Sequence, residues 1–365
     1  MNLVSRFRAQ QRTWRGRHWF SLLVAFLLMT MPALTSCSGS ISVEDQEDRA
    51  PALGQYAVSA EKLPALELSE GERLKVVATT TLVADIAGRV GGDLIDLSTI
   101  LPYGADPHGY SATPQDLRRV SQADVVLSAG FDLEATLLQS LASSVPDTPI
   151  LSLSEGAESR GLIEFEGSAE TADTDDEAHL ESDPHHEGEH GFDPHVWFDP
   201  MMVDLWAENA ARSFARLDPD HEQAYQENLS ALSQELLELD RWIQGQVAAV
   251  PEDQRELVTD HLALTYFAER YDFELVGAVI PAYSTTAEAS AQELAELQEL
   301  ISEREVAALF VGATADPGLT ERIAADLGIP VVKLHTGSLT PPGGEASNYF
   351  EFMRFNVGAI VEALS

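Results

Sequence analysis

Leu74-Lys75-Val76-Val77-Ala78-Thr79-Thr80 is a short β-branched run, and the residues after it are apolar at Leu82, Ile86 and Val90. Such a run reads as a buried strand, and the spacing that follows it as a helix. The pattern recurs toward the C-terminus: a strand over 94–101, a loop through Pro102, Gly104 and Pro107, a helix from Thr113 or Pro114 to Ser121, and strands over 124–128 and 149–153 with a helix between them. Beyond Pro251 the rhythm returns, with strands expected over 255–259, 274–280, 306–311 and 330–335 and helices over 262–271, 289–303, 319–327 and 349–364. Strand and helix in alternation imply a parallel sheet covered on both faces, because parallel neighbours need a crossover between them. Ligands of such sheets gather at the carboxyl ends of the strands.

Between the two patterns lies a long helical stretch. Val203, Trp206 and Ala210 open one helix, which runs to Leu217, and Pro219 restarts a second. The second carries Tyr225, Leu229, Leu232, Leu236, Leu239, Trp242 and Ile243 in near-heptad spacing. This spacing suits a coiled-coil dimer, but its place between two α/β patterns favours one long helix packed along both lobes. The expected fold is therefore α/β, with two lobes built on parallel central sheets and joined by one long backbone helix. Residues 72–217 form the N-terminal lobe, 218–250 the linking helix and 251–365 the C-terminal lobe.

The first 36 residues hold Arg6, Arg8, Arg12, Arg15 and Arg17, no acidic residue, and then an apolar run over 19–34 interrupted by Ser21, Thr30 and Pro32. That run is short for the roughly 20 residues needed to span a bilayer, and it reads as a cleaved secretory signal. Leu34-Thr35-Ser36-Cys37 resembles a bacterial lipobox, which implies lipid on Cys37 and a body held at the outer face of a membrane. Residues 37–71, polar and broken by Pro51 and Pro64, read as a flexible tether.

The whole chain has 365 residues, a formal net charge of −38, 44% hydrophobic residues and one cysteine. There is enough apolar matter for a core, so disorder throughout is excluded. The carboxylate excess would repel nucleic acid and favours cations as partners. A single cysteine excludes a disulfide framework and any multi-cysteine metal site. No Lys or Arg occurs between Arg160 and Arg212, and residues 164–193 contain twelve Asp or Glu together with His179, His185, His186 and His190. Residues 164–192 are therefore expected to be a disordered insertion in the first lobe. It is either without a task or an auxiliary site for loose capture of divalent metal.

Three segments carry a family resemblance. Leu101-Pro-Tyr-Gly-Ala-Asp-Pro-His108, running on to Thr113-Pro-Gln-Asp116, is followed in the chain by Asp193-Pro-His195-Val-Trp197-Phe-Asp-Pro200 and Thr259-Asp-His261. With Ala289 to Leu297 and Tyr349 to Asn356, these resemble, in family order, the metal-binding solute receptors of bacterial ABC importers for zinc and manganese. The resemblance implies a non-enzymatic, monomeric, extracytoplasmic lipoprotein with a metal site in the cleft between its lobes. It also implies delivery of the ion to a membrane permease.

His108, His195 and His261 are the expected ligands, since three neutral imidazoles on separate loops make a site that lacks only a fourth donor. Asp116, Asp199 and Asp260 are either hydrogen-bond partners of those imidazoles or helix caps. Manganese-type members place carboxylates where His261 and Gly337 stand here, so the nitrogen-rich set points to Zn²⁺ as transported ligand, with Mn²⁺ second. The fourth position is assigned to water ahead of His335, and Gly312 stands where the family's acidic residue is expected. Proton competition for the ligands is expected near pH 6.5. A surface metal buffer or adhesin stays open as an alternative. A secreted zinc hydrolase ranks lower, since no His-Glu-x-x-His or Gly-x-Ser-x-Gly motif occurs.

Overall fold

The computed structural model describes residues 57–166 and 190–365. The leader 1–36, Cys37, most of the tether, and His179, His185 and His186 lie outside the described residues, and of His190 only the backbone is described. No described helix is long and apolar enough to cross a membrane.

The first lobe is a parallel sheet in the order β2-β1-β3-β4, from β1 (Leu74–Ala78), β2 (Ile95–Thr99), β3 (Val125–Ser128) and β4 (Ile150–Ser152). Its crossovers are α1 (Thr81–Gly91), α2 (Pro114–Val120) and α3 (Ala135–Ser144). Every residue of β3 is buried, as a strand covered on both faces requires. Val77, Val126, Ile150, Leu137 and Leu141 form the core beneath α2 and α3, each contributing about 1.5–3 kcal/mol by leaving water. Thr80 caps α1 by accepting the N–H of Val83, and Thr113 with Asp116 forms a capping box at α2.

The tether is shorter than expected. Val58 donates its N–H to the carbonyl of Ile150 at the edge of the sheet, Leu66 N–H reaches the carbonyl of Leu217, and Ala60 and Leu63 are buried. Two apolar side chains in a polar stretch are a weak periodic signal, yet they suffice to dock it. The acidic insertion also begins and ends in order: β5 (Glu164–Glu166) pairs antiparallel with β6 (His190–Phe192), so its first and last three residues form a ladder. Backbone hydrogen bonding overrides the composition there, which is why disorder over the full 164–192 does not hold.

Two helices follow, α4 (Pro200–Leu217) and α5 (Glu222–Val247). The 26-residue α5 is a single helix lying against α1 and α4 and against the C-terminal α9 (Tyr349–Leu364). Its inward face holds Tyr225, Leu232, Leu236, Leu239, Ile243 and Val247. Buried Asp240 of α5 accepts from Arg270 Nε at 2.7 Å and from the Tyr271 hydroxyl at 2.9 Å. Arg270 also pairs with Asp199, the N-cap of α4, at 3.2 Å. One guanidinium thus ties α5 to the start of α4 and to the second lobe.

The second lobe is a parallel sheet in the order β8-β7-β9-β10, from β7 (Glu256–Thr259), β8 (Glu274–Ala278), β9 (Leu309–Gly312) and β10 (Val331–Leu334). Helices α6 (Thr265–Tyr271), α7 (Ala291–Arg304) and α8 (Gly318–Leu327) complete it. This is the strand order of the first lobe repeated. In each lobe the crossovers run in opposite directions from the two central strands, so the switch point lies between β1 and β3 in one and between β7 and β9 in the other.

Candidate metal centre

Each candidate histidine leaves the carboxyl end of a regular element. His108 sits in the loop after β2, His195 in the turn between β6 and α4, and His261 two residues beyond the end of β7. An aspartate at or just before each one accepts its backbone N–H. These are Asp106 Oδ1 for His108 at 3.0 Å, Asp193 Oδ1 for His195 at 2.9 Å and Asp260 Oδ1 for His261 at 2.8 Å.

The three rings converge. Nε2 of His195 is 3.2 Å from Nε2 of His108 and 3.3 Å from Nε2 of His261, and the ring centroids lie 5.1, 5.2 and 5.7 Å apart. Nitrogens about 2.0–2.1 Å from one ion at tetrahedral angles stand about 3.3–3.4 Å from one another. His195 Nδ1–H donates to Asp193 Oδ1 at 2.8 Å and His261 Nδ1–H to Asp260 Oδ1 at 2.9 Å, which turns both Nε2 lone pairs toward the common centre. Asp260 Oδ2 accepts the N–H of Gly312 at 2.9 Å. A Cβ on Gly312 would stand 3.2 Å from that oxygen and run into the Thr336 hydroxyl, so the glycine makes room for the carboxylate.

Burial, followed by the charges of His195 and His261, pushes His108 down to about 3, and burial holds His195 well below the usual imidazole range. Both are neutral donors at neutral pH, and protons compete with an ion for them only well below the 6.5 expected from sequence. Burial pushes the Asp193 carboxyl up to about 8, and a divalent ion behind His195 would draw it back toward ionisation. Burial also acts to raise Asp260, but the hydrogen bond and charge of His261 and the Gly312 N–H outweigh it and hold that carboxyl low.

The cleft around the Nε2 atoms is walled by Asp106, Pro107, Trp197, Thr285, Thr336 and Gly337. Trp197 is fully buried; its Nε1–H donates to the Thr336 carbonyl at 2.9 Å, and its own carbonyl accepts from the Tyr349 hydroxyl at 2.8 Å. At Gly337 a Cβ would lie 2.8 Å from Cδ of Pro107, so this wall admits no side-chain donor. His335 is not brought into the group of three. Its Nε2 lies 3.2 Å from Glu345 Oε1, its ring packs on Phe355 and its N–H is held by Asn356. The residue two places on from His335 faces the cleft; His335 itself turns toward α9.

Of the three aspartates weighed as imidazole partners, Asp260 takes that place, while Asp116 and Asp199 cap α2 and α4. Asp193 was not anticipated; Asp-Pro-His occurs at 106–108, 183–185 and 193–195, so the repeated tripeptide does not by itself mark the site.

Residues 76–363 match the model of the ZnuA family, described as zinc-uptake complex component A, periplasmic. Similar proteins include the metal ABC transporter substrate-binding lipoprotein FimA of Streptococcus parasanguinis, 30% identical over 300 residues, 80% of this chain and 90% of the relative. The manganese ABC transporter substrate-binding lipoprotein PsaA of Streptococcus pneumoniae is 28% identical over 304 residues, 81% of this chain and 91% of the relative. Among solved structures, the periplasmic zinc-binding protein TroA from Treponema pallidum aligns with a TM-score of 0.70 at 25% identity, covering 80% of this chain and 100% of that one. With its paired parallel sheets, its long helix and three imidazoles meeting in the cleft, the chain belongs to the ZnuA family of extracytoplasmic metal-binding receptors of ABC importers, proteins that carry an ion and convert nothing.

Proposed function

We propose that the chain is a lipid-anchored receptor that captures Zn²⁺ through His108, His195 and His261, with water in the fourth place, and hands it to the permease of an ABC importer. The observation that carries this reading is the meeting of three imidazole nitrogens, two of them 3.2 and 3.3 Å from the third. Zinc is preferred over manganese because all the convergent donors are nitrogen. The one carboxylate on the wall, Asp106, lies outside the group of donor atoms within 4.8 Å of one another, and Pro107 closes the Gly337 wall to a further donor. The leader 1–36 directs export, Cys37 receives the lipid, and the acidic segment with His179, His185, His186 and His190 gathers additional, weaker equivalents. The named relatives, a manganese and a zinc binder among them, support import of a divalent ion as the shared task.

Calorimetric titration of zinc tests this. The full mature chain should bind one tight equivalent, and His195→Ala should lower that affinity by about a thousandfold or more while the weak equivalents persist. A variant that kept the tight equivalent would overturn the assignment. Competition with manganese should leave zinc bound at a large manganese excess, and displacement by equimolar manganese would reverse the choice of metal.

A further inference from the structure

The three histidines are not held alike. His195 and His261 are 1% and 2% exposed, and each ring is locked through Nδ1 by a buried carboxylate. His108 is less enclosed, and among the described residues the hydrogen-bond partner of its ring is His195 alone. What fixes His108 is its backbone, gripped by Asp106 Oδ1 at 3.0 Å. The other oxygen of Asp106 accepts the hydroxyl of Thr285 at 2.5 Å, and Thr285 belongs to the second lobe, in the irregular segment between β8 and α7. A single carboxylate therefore stands between a hydroxyl of one lobe and the backbone of an ion ligand in the other. The two segments touch beside it, since a Cβ on Gly109 would lie 3.7 Å from Cγ2 of Thr286. Further back, the Gly104 N–H bonds to Ser338 Oγ at 2.8 Å, and Ser338 is buried against Thr81. That contact anchors the base of the His108 loop, and Asp106 lies on the His108 side of it. Asp106 is not itself part of the converging donor group.

We propose that the Asp106–Thr285 hydrogen bond is a clasp between the lobes that seats His108, and that the ion leaves by release of His108 when the clasp opens, while His195 and His261 keep their places. The inference rests on the three histidines being the ion site. Thr285 acts as a positioning residue: it touches no ion and works through Asp106 on the one ligand whose ring no carboxylate holds. A hydrogen bond to a charged acceptor, or a partner that orients a ligand, alters affinity by about 10- to 100-fold. Here that factor falls on dissociation.

The test is stopped-flow release of one equivalent of zinc from the full mature chain into excess chromophoric chelator. Thr285→Val should speed dissociation about 10- to 100-fold with association changed less than about threefold, and Thr285→Ser, which keeps the hydroxyl, should return to within about twofold of the parent. Zinc K-edge absorption of Thr285→Val should still show three imidazoles. Should the valine variant fold poorly, Thr285→Ala gives the same reading. Dissociation within twofold of the parent in the valine or alanine variant, equal acceleration in the serine variant, or loss of an imidazole in the resting site would each overturn the clasp. Failure of the underlying site shows separately, as a parent chain whose tight zinc survives His195→Ala.

Discussion

The lobes share one strand order and fill the same crevice, the switch point between the two central strands, with a buried carboxyl group; the contrast lies in what surrounds that group. In the first lobe Glu134 Oε1 accepts from the Thr79 hydroxyl at 2.5 Å, just past β1, and from Ala129 N–H at 2.9 Å, just past β3, while Oε2 is buried with no partner. Burial pushes this carboxyl up, toward the neutral acid. In the second lobe Asp260, just past β7, receives Gly312 N–H from the end of β9 on one oxygen and both N–H groups of His261 on the other, and is held low. In the first crevice burial outweighs the hydrogen bonds that the carboxyl accepts, and in the second the hydrogen bonds and the charge of His261 outweigh burial. Asp260 meets an imidazole, that of His261, and turns it toward the cleft, whereas the hydrogen bonds that Glu134 accepts come from Thr79 and a backbone N–H, so of the two switch-point carboxyl groups only Asp260 serves the ion site.

The largest effect should separate the two carboxyl groups directly. Asp260→Asn, which removes the charge behind His261, is expected to weaken zinc binding about 10- to 100-fold by calorimetry, and Glu134→Gln to leave it within about twofold. Equal losses would erase the contrast.

Next comes pH. The folded protein raises the Glu134 pKa above its unfolded value, so the native state keeps a proton that the unfolded chain releases. Stability from this group therefore falls as pH rises from about 4.3 through the folded value, by about 1.4 kcal/mol per pH unit. Metal-free Glu134→Gln lacks that slope, and its melting temperature should gain on the parent as pH rises above about 4.3. A constant gap would mean the carboxyl is ionised in the native state. The smallest effect is expected from the insertion between the lobe's ordered segments: deletion of residues 167–189 should remove weak zinc equivalents and leave the tight one within about twofold. Loss of the tight equivalent would place the site in the insertion instead of the cleft.

Local chemistry made much of this legible. The run at Leu74, the Val-Val pairs and the heptad-like stretch from Tyr225 to Ile243 fixed strands and helices to within a few residues, because burial on both faces or along one stripe leaves a periodic trace. The triad was legible through the family resemblance of its three segments; a neighbouring proline or aspartate alone does not single it out, since His185 follows Pro184 and His221 follows Asp220. Illegible were features made by distant chain. Glu134 has nothing in its neighbours to mark it as a plug, Trp197 meets Thr336 across 139 positions, and the closure of the Gly337 wall depends on Pro107 from the other lobe. Asp116 and Asp199 show the opposite limit: an aspartate near a helix start and near a ligand loop serves either as cap or as imidazole partner, and only the backbone path decides.

The central claim is that three imidazoles from separate loops meet on one ion. X-ray absorption at the zinc K-edge, on the full mature chain loaded with one equivalent, tests it most directly. The account predicts three imidazole nitrogens and one oxygen at about 2.0–2.1 Å. A shell of carboxylate oxygens with one imidazole or none would contradict it.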